Sequence, residues 1–362
     1  MPWGYERVEN EIAALCEQAL PTEAFCRAAG ERIARVLAFD GSCWHTNDPA
    51  TLLITSHLTE RLPDRFEVLA RNEYTTDDVN HFATLATSRR PAGTLRGATR
   101  NRPESSARYR DLLSPNGLDG ELRAALVAGR SCWGGLILVR QAGRPAFSGE
   151  DADFLGRLSR PLARGLRTAI LTSAATGVRG PDAPGLILVD DRGEAHAMSE
   201  SALPWLRQLG SDGGGLPPAV LATAAAARHA APGQAPVRSR VRTQEGDWAV
   251  LHGSRVASAP GRATVIIESA APADIMPMLL GAYGLTARER EVAELVMRGR
   301  STAQVAAALF IAPYTVQDHL KAIFEKVGVR SRRDLMGHVF FEHYLPRIAN
   351  HVAPAPNGAL WD

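Results

Sequence analysis

The residues best placed to do chemistry lie between Gly284 and Phe340, and that chemistry is hydrogen bonding rather than bond making. From Pro313 to Lys326, Val316, Leu320, Ile323 and Val327 recur at helical spacing and form one apolar stripe. Tyr314, Gln317, Asp318, Lys321 and Glu325 take the opposite face. Amide, carboxylate and ammonium groups so arranged can pair with the donors and acceptors that bases present in the major groove. An ordinary solvated helix face has a similar composition, so the surrounding elements must decide between the two.

Those elements read as four short helices with punctuation. Thr286 with Glu289 and Ser301 with Gln304 are capping boxes, and Ser331 with Asp334 is a weaker third of the same shape. Each places an oxygen where the first orphan N–H groups of a helix need an acceptor. Gly299 and Gly328 stand where two helices must stop, and Pro313 suits the first turn of the third. A short polar-faced helix propped by two others is the helix-turn-helix arrangement.

The stretch resembles the DNA-binding domain of LuxR-type bacterial transcription regulators. The shared pattern is L-T-x-R-E-x-E-V, a Gly and a Ser-initiated helix, T-V-x-x-H-L-x-x-I, and K-x-G-V-x-S-R. It is carried by Leu285, Thr286, Arg288, Glu289, Glu291, Val292, Gly299, Ser301, Thr315, Val316, His319, Leu320, Ile323, Lys326, Gly328, Val329, Ser331 and Arg332. The resemblance implies an all-α four-helix domain, taken here as residues 276–345. Its DNA-contacting set would be Ser301, Thr302, Tyr314, Thr315, Val316, Gln317, Asp318, His319 and Lys321. Gln317, Asp318 and Lys321 would face bases. Thr315 and His319 would lie nearer the phosphates, with bracing of the helix as the rival role for His319. Ser301 and Thr302 would offer a helix N-terminus to a phosphate.

Two positions depart from the pattern. Ala312 stands where Ser or Thr usually caps the reading helix, an omission costing about 1 kcal/mol. Gln317 stands where Lys or Arg is frequent, with the acid Asp318 beside it. An acid repels phosphate but accepts from cytosine N4, so narrow sequence preference and low non-specific affinity are expected. The formal net charge of the chain is only +2, and basic residues outnumber acidic ones only modestly from Arg288 to Arg333. Weak binding by a monomer, and hence dimerisation, follows.

The chain's 362 residues are more than one domain usually holds, and 45% apolar with 22% charged residues suits soluble globular domains. No apolar run is long enough to cross a bilayer, and the acidic N-terminus MPWGYERVENE lacks the apolar core of a signal peptide. Cys16, Cys26, Cys43 and Cys132 have no metal-type spacing. A reduced, cytoplasmic, nucleoid-associated chain that does not engage membrane is expected. No nucleophile elbow, P-loop, catalytic carboxylate pair or zinc spacing occurs, so neither an enzyme nor a cofactor is expected.

The preceding residues read as two α+β modules. Helices over residues 4–38, strands at 41–46 and 51–56, helices at 65–74 and 79–85, an irregular stretch 87–105, a hairpin at 121–127 and 132–140, and a long helix to Leu171 resemble a GAF domain over residues 1–172. Residues 173–184 have linker composition. Strands at 185–190 and 194–198, helices at 199–209 and 219–229, and a three-stranded meander over 237–268 are similar to a PAS-like module, residues 181–270. Residues 270–277 would link it to the DNA reader, and 346–362 form a tail. The fold class expected is thus multidomain α+β, two antiparallel-sheet sensor modules followed by the helical domain.

Cys43-Trp44 and Cys132-Trp133 could serve a haem with His45, His57 or His81 as ligands, but alternation along strands favours packing. Trp205, Trp248 and His252 could line a pocket, with core packing again favoured. The whole reads as a bacterial transcription regulator acting as a homodimer on double-stranded DNA. Leu335, Met336, Val339 and Phe340 are candidate dimer contacts. RNA polymerase and a small-molecule ligand of the N-terminal modules are the further partners of such a regulator. The alternative is an N-terminal region that is a ligand-free protein-interaction scaffold.

Overall fold

The computed structural model describes residues 2–172, 181, 183–211, 215–231 and 233–335. Two helices, α1 (Pro2–Leu15) and α2 (Thr22–Ala34), precede β1 (Gly41–Asn47) and β2 (Ile54–Glu60). Then come α3 (Phe66–Thr75), α4 (Phe82–Thr87), β3 (Ala92–Thr94), α5 (Leu95–Ala98), β4 (Leu118–Ala128), β5 (Ser131–Gln141) and α6 (Gly149–Thr172). The strands form one antiparallel sheet in the order β2-β1-β5-β4-β3. Alternation sorts its side chains: Leu122, Ala124 and Leu126 lie on the α6 side, while Cys43, Ile137 and Val139 join a cluster with Phe66 and Leu69 of α3.

The expected element order is observed, with three differences. The second strand begins at Ile54 rather than Thr51, because Asp48 accepts from the Ala50 N–H and Leu52 turns with φ 61°. The fourth helix begins at Phe82 rather than Val79, after Asn80 with φ 56°. The stretch read as irregular holds β3, which pairs with β4 through Ala92, Gly93 and Thr94. Its Arg, Pro and Gly content hid a strand whose partner is thirty residues away.

A second five-stranded antiparallel sheet, order β7-β6-β10-β9-β8, follows. It is built from β6 (Gly185–Val189), β7 (Ala195–Met198), α7 (Ala202–Gln208), α8 (Pro218–His229), β8 (Val237–Arg242), β9 (Trp248–Arg255) and β10 (Ala263–Ser269). The Ala-rich α8 lets backbones approach closely and packs two ways. Val220, Ala224 and Ala227 belong to the core of the second sheet, whereas Leu221 and Ala222 belong to the cluster of the first. Asp48, with no exposed surface, accepts from the Arg240 backbone N–H at 3.0 Å and from its guanidinium at 2.9 Å. Residues 1–173, 181–244 and 249–269 accordingly form one compact unit.

The other unit carries α9 (Pro272–Ala282), α10 (Ala287–Met297), α11 (Thr302–Leu309) and α12 (Pro313–Val327). The stretch read as a link, 270–277, is therefore largely helix. A further helix starts after Ser331, whose hydroxyl accepts from the Asp334 N–H at 3.0 Å. Met336, Val339, Phe340 and the tail 346–362 lie outside the described residues, as do 173–180. Leu335 is fully buried. No helix among the described residues is long and apolar enough to cross a membrane.

Candidate nucleic-acid interface

The helical domain is held by its own motif residues. Thr286 accepts from the Glu289 N–H at 3.3 Å while Glu289 accepts from the Thr286 N–H at 2.7 Å; Ser301 and Gln304 repeat the exchange at 3.3 and 2.9 Å. Lys326 of α12 donates to both Glu289 carboxylate oxygens, at 2.7 and 2.6 Å. Burial works to raise the Glu289 carboxyl, but Lys326 and the Thr286 N–H outweigh it and leave the group below its ordinary value. Arg288 reaches the Leu309 carbonyl at 2.6 Å, and Arg332 reaches the Val296 and Arg300 carbonyls. Three cations that look like phosphate ligands are thus held by internal acceptors, Lys326 by a carboxylate and Arg288 and Arg332 by backbone carbonyls.

The helix ends repeat one device. Gly299 (φ 78°) passes its N–H to Val296, and Arg300 to Leu295. Gly328 (φ 78°) ends α12 with the Val329 N–H on Phe324. The α11–α12 turn has the same pair of bonds, Phe310 to Ala307 and Ile311 to Ala306, but Phe310 occupies the left-handed position at φ 54°. This is the Schellman arrangement with a side chain where glycine is preferred. The Phe310 ring is 95% exposed, so no burial compensates.

α12 buries Val316, Leu320, Ile323 and Val327, as its spacing required. Its N-cap, Ala312, offers no side-chain hydrogen bond. Tyr314, Gln317, Asp318 and Lys321 are exposed, Tyr314 to 70%; Thr315 and His319 are half-buried. Lys321 has no ion-pair partner among the described residues, unlike Lys326. Ser301 is exposed at the start of α11, and Thr302 half-buried. Val316 is corrected: at 0% exposure it belongs to the core and cannot reach a base. One face of one helix thus presents an amide, a carboxylate, a phenol and an ammonium group together, the set that can pair with base edges and phosphates.

The other candidates resolve as packing. Cys43, Trp44, Cys132 and Trp133 are all buried, and burial pushes the two thiols up to about 12 and about 11. His45 is fully enclosed beside Arg123 and bonds Asn47 at 2.9 Å; burial first, then the Arg123 charge, lowers it to about 3. Trp205 packs in the second core with its indole N–H on the Ala183 carbonyl, and His252 pairs with Glu268 across two strands.

Sequence reading did not find a pocket on the α3 side of the first sheet. It is half open to solvent, has a cavity volume of about 60 Å³, and is lined by Cys43, Leu69, Leu112, Glu121, Ile137 and Val139 among others. Its wall comes from four strands, α3 and the turns that precede α3 and β4. Only the alternation in β4 and β5 was a signal, and it could not say whether that face was filled.

Known proteins compare as follows. The family model described as bacterial regulatory proteins, luxR family, matches residues 284–339. The chain is 44% identical over 48 residues to the spore germination protein GerE of Bacillus subtilis, covering 13% of this chain and 65% of that one. It is 40% identical over 81 residues to a protein of Aeromonas salmonicida described as an HTH-type transcriptional regulator in the exeN 3′ region, covering 22% and 37%. These curated relatives are thus spanned over less than two thirds of their length. Among solved structures, a phycoerythrobilin-bound GAF domain from a cyanobacterial phytochrome aligns with 47% of this chain and 97% of its own, at 16% identity and TM-score 0.34. The match, the interlocked capping boxes and the open polar face of α12 fall on the same residues. Residues 284–339 are a helix-turn-helix domain of the luxR family of bacterial regulatory proteins.

Proposed function

We propose that this chain is a bacterial transcription regulator that reads double-stranded DNA as a homodimer, through α12, under the control of a ligand-responsive block at residues 2–269. The observation that carries this is the division of labour on the helical domain. Arg288, Glu289, Lys326 and Arg332 are spent on internal bonds, whereas Gln317, Asp318 and Lys321 lie on one exposed face with no side-chain partner among the described residues. Gln317 pairs with adenine, Asp318 accepts from cytosine N4 and Lys321 meets guanine or phosphate. Ser301, Thr302, Tyr314, Thr315 and His319 fix the register on the backbone.

With only a modest excess of basic over acidic residues, one domain binds weakly, and two on adjacent half-sites bind by pairing. A ligand in the pocket of the first sheet shifts the population of DNA-competent dimers. RNA polymerase is the partner through which occupancy becomes transcription. The test compares the full chain with residues 276–345 on the operator recovered by binding selection. The full chain is expected to bind more tightly and as a dimer; equal affinity would show that the N-terminal block does not build the dimer.

A further inference from the structure

We propose that Phe310 is a further base-reading residue, its ring packed against the 5-methyl group of a thymine where the start of α12 enters the major groove. This rests on the DNA-reading role of α12 and adds to it an apolar contact where the others are hydrogen bonds. Phe310 is 95% exposed and Tyr314 70%, whereas the other large apolar side chains exposed among the described residues, Leu186, Met198, Leu203 and Ile266, reach at most 45%. The two extremes thus fall within the five residues that open the reading helix. Nothing inside the protein requires a ring at position 310. The turn is closed by backbone groups alone, the Phe310 N–H on the Ala307 carbonyl and the Ile311 N–H on the Ala306 carbonyl. Glycine closes the end of α10 in the same way at Gly299. At φ 54° a bulky side chain is strained, and with the ring in solvent no burial offsets the cost. Strain kept without internal compensation points to a contact made outside the folded chain.

Position and chemistry identify that contact. In a helix-turn-helix the N-terminal residues of the second helix are the ones that meet base edges. α12 begins at Pro313, and Phe310 stands three residues before it, with the exposed Tyr314 and Gln317 following. From Ser301 to Pro313 no side chain is charged, so no cation beside the ring would hold it to a phosphate. A hydrocarbon ring also offers a base edge no hydrogen bond. The one apolar group that base edges display in the major groove is the thymine methyl, and Phe is among the side chains that pack on it. A pocket on another protein is the rival occupant, and it would leave DNA affinity indifferent to the ring.

The test uses the full chain, its Phe310→Gly and Phe310→Leu variants, and the operator recovered by binding selection. Each thymine of the operator is replaced in turn by uracil, which removes the 5-methyl group and nothing else. Uracil at one position in each half-site is expected to weaken the unaltered chain about fourfold per half-site, the worth of one buried methyl group. The same replacement is expected to leave Phe310→Gly unaffected and Phe310→Leu, which keeps a shorter apolar side chain, still sensitive. Glycine suits the backbone at this position, so the variant without the ring folds at least as well as the parent and weaker binding is not misfolding. Three results overturn the proposal: uracil tolerated at every position by the unaltered chain, equal uracil sensitivity in the unaltered chain and Phe310→Gly, or operator affinity unchanged by Phe310→Gly, which would give the ring to a protein partner. In each of these cases a base choice that still shifts in Asp318→Ala leaves the DNA-reading role of α12 standing, whereas no sequence-specific binding by the unaltered chain removes both.

Discussion

The chain's two lysines lie on one helix and do opposite work. Lys326 closes on Glu289 and holds α12 to α10; Lys321 faces solvent with no ion partner among the described residues. Lys321→Ala is expected to weaken DNA binding and to reduce the salt slope by about 1, read by anisotropy titrations across salt concentration. Glu289→Gln should leave the reading face intact but cost about 2 kcal/mol of domain stability, since it weakens both the capping box and the Lys326 clasp. The same carboxylate sets a pH dependence. Its folded value is depressed below the unfolded one, so its stabilisation is full above the ordinary carboxylate range and is lost as pH falls through the folded value. Thermal melts of the isolated domain should therefore lose stability on acidification in that window, and the Glu289→Gln variant should lose less. A variant with the same pH profile as the parent would remove Glu289 from the account.

At the scale of elements, local chemistry was most legible where side chains cap helices. Thr286, Ser301 and Ser331 each bond where their spacing required, and Gly299 and Gly328 stop helices with positive φ. The end of α11 was not legible, because Phe310 gives no glycine signal and takes the left-handed conformation under the pull of two hydrogen bonds. The reading helix therefore starts with two local faults, a strained residue before it and a cap without an acceptor. Phe310→Gly is expected to stabilise the domain by about 1 kcal/mol, and Ala312→Ser by about the same. Differential scanning fluorimetry checks both; a fall in melting temperature for Ala312→Ser would mean that position 312 does not act as the cap. β3 and the pocket were hidden for a different reason. Strand pairing and cavity walls depend on residues far apart in sequence, and periodicity within a segment carries no information about what covers it.

For the whole molecule, the two antiparallel-sheet modules expected from composition and periodicity are present as two five-stranded sheets, which pack within one compact unit. The Ala-rich α8 read simply as a helix, yet its small side chains allow it to serve two cores. Asp48 read as a turn residue, yet it is fully buried on Arg240. Asp48→Ala would remove the buried acceptor of the Arg240 backbone N–H and guanidinium and should cost about 3 kcal/mol. Single-tryptophan variants give the check: Trp44 in the first sheet and Trp205 in the core of the second should report one denaturant midpoint, moved together by Asp48→Ala. Separate midpoints in the unaltered sheets would show that they fold independently.

Whether the exposed face of α12 reads base sequence is decided by a binding selection on randomised double-stranded DNA, with the full chain and its Asp318→Ala variant side by side. The unaltered chain is expected to recover a two-fold symmetric site and the variant to relax base choice at one position in each half-site, with discrimination there falling by about 1–3 kcal/mol. An identical recovered site for both chains would contradict base reading by this face.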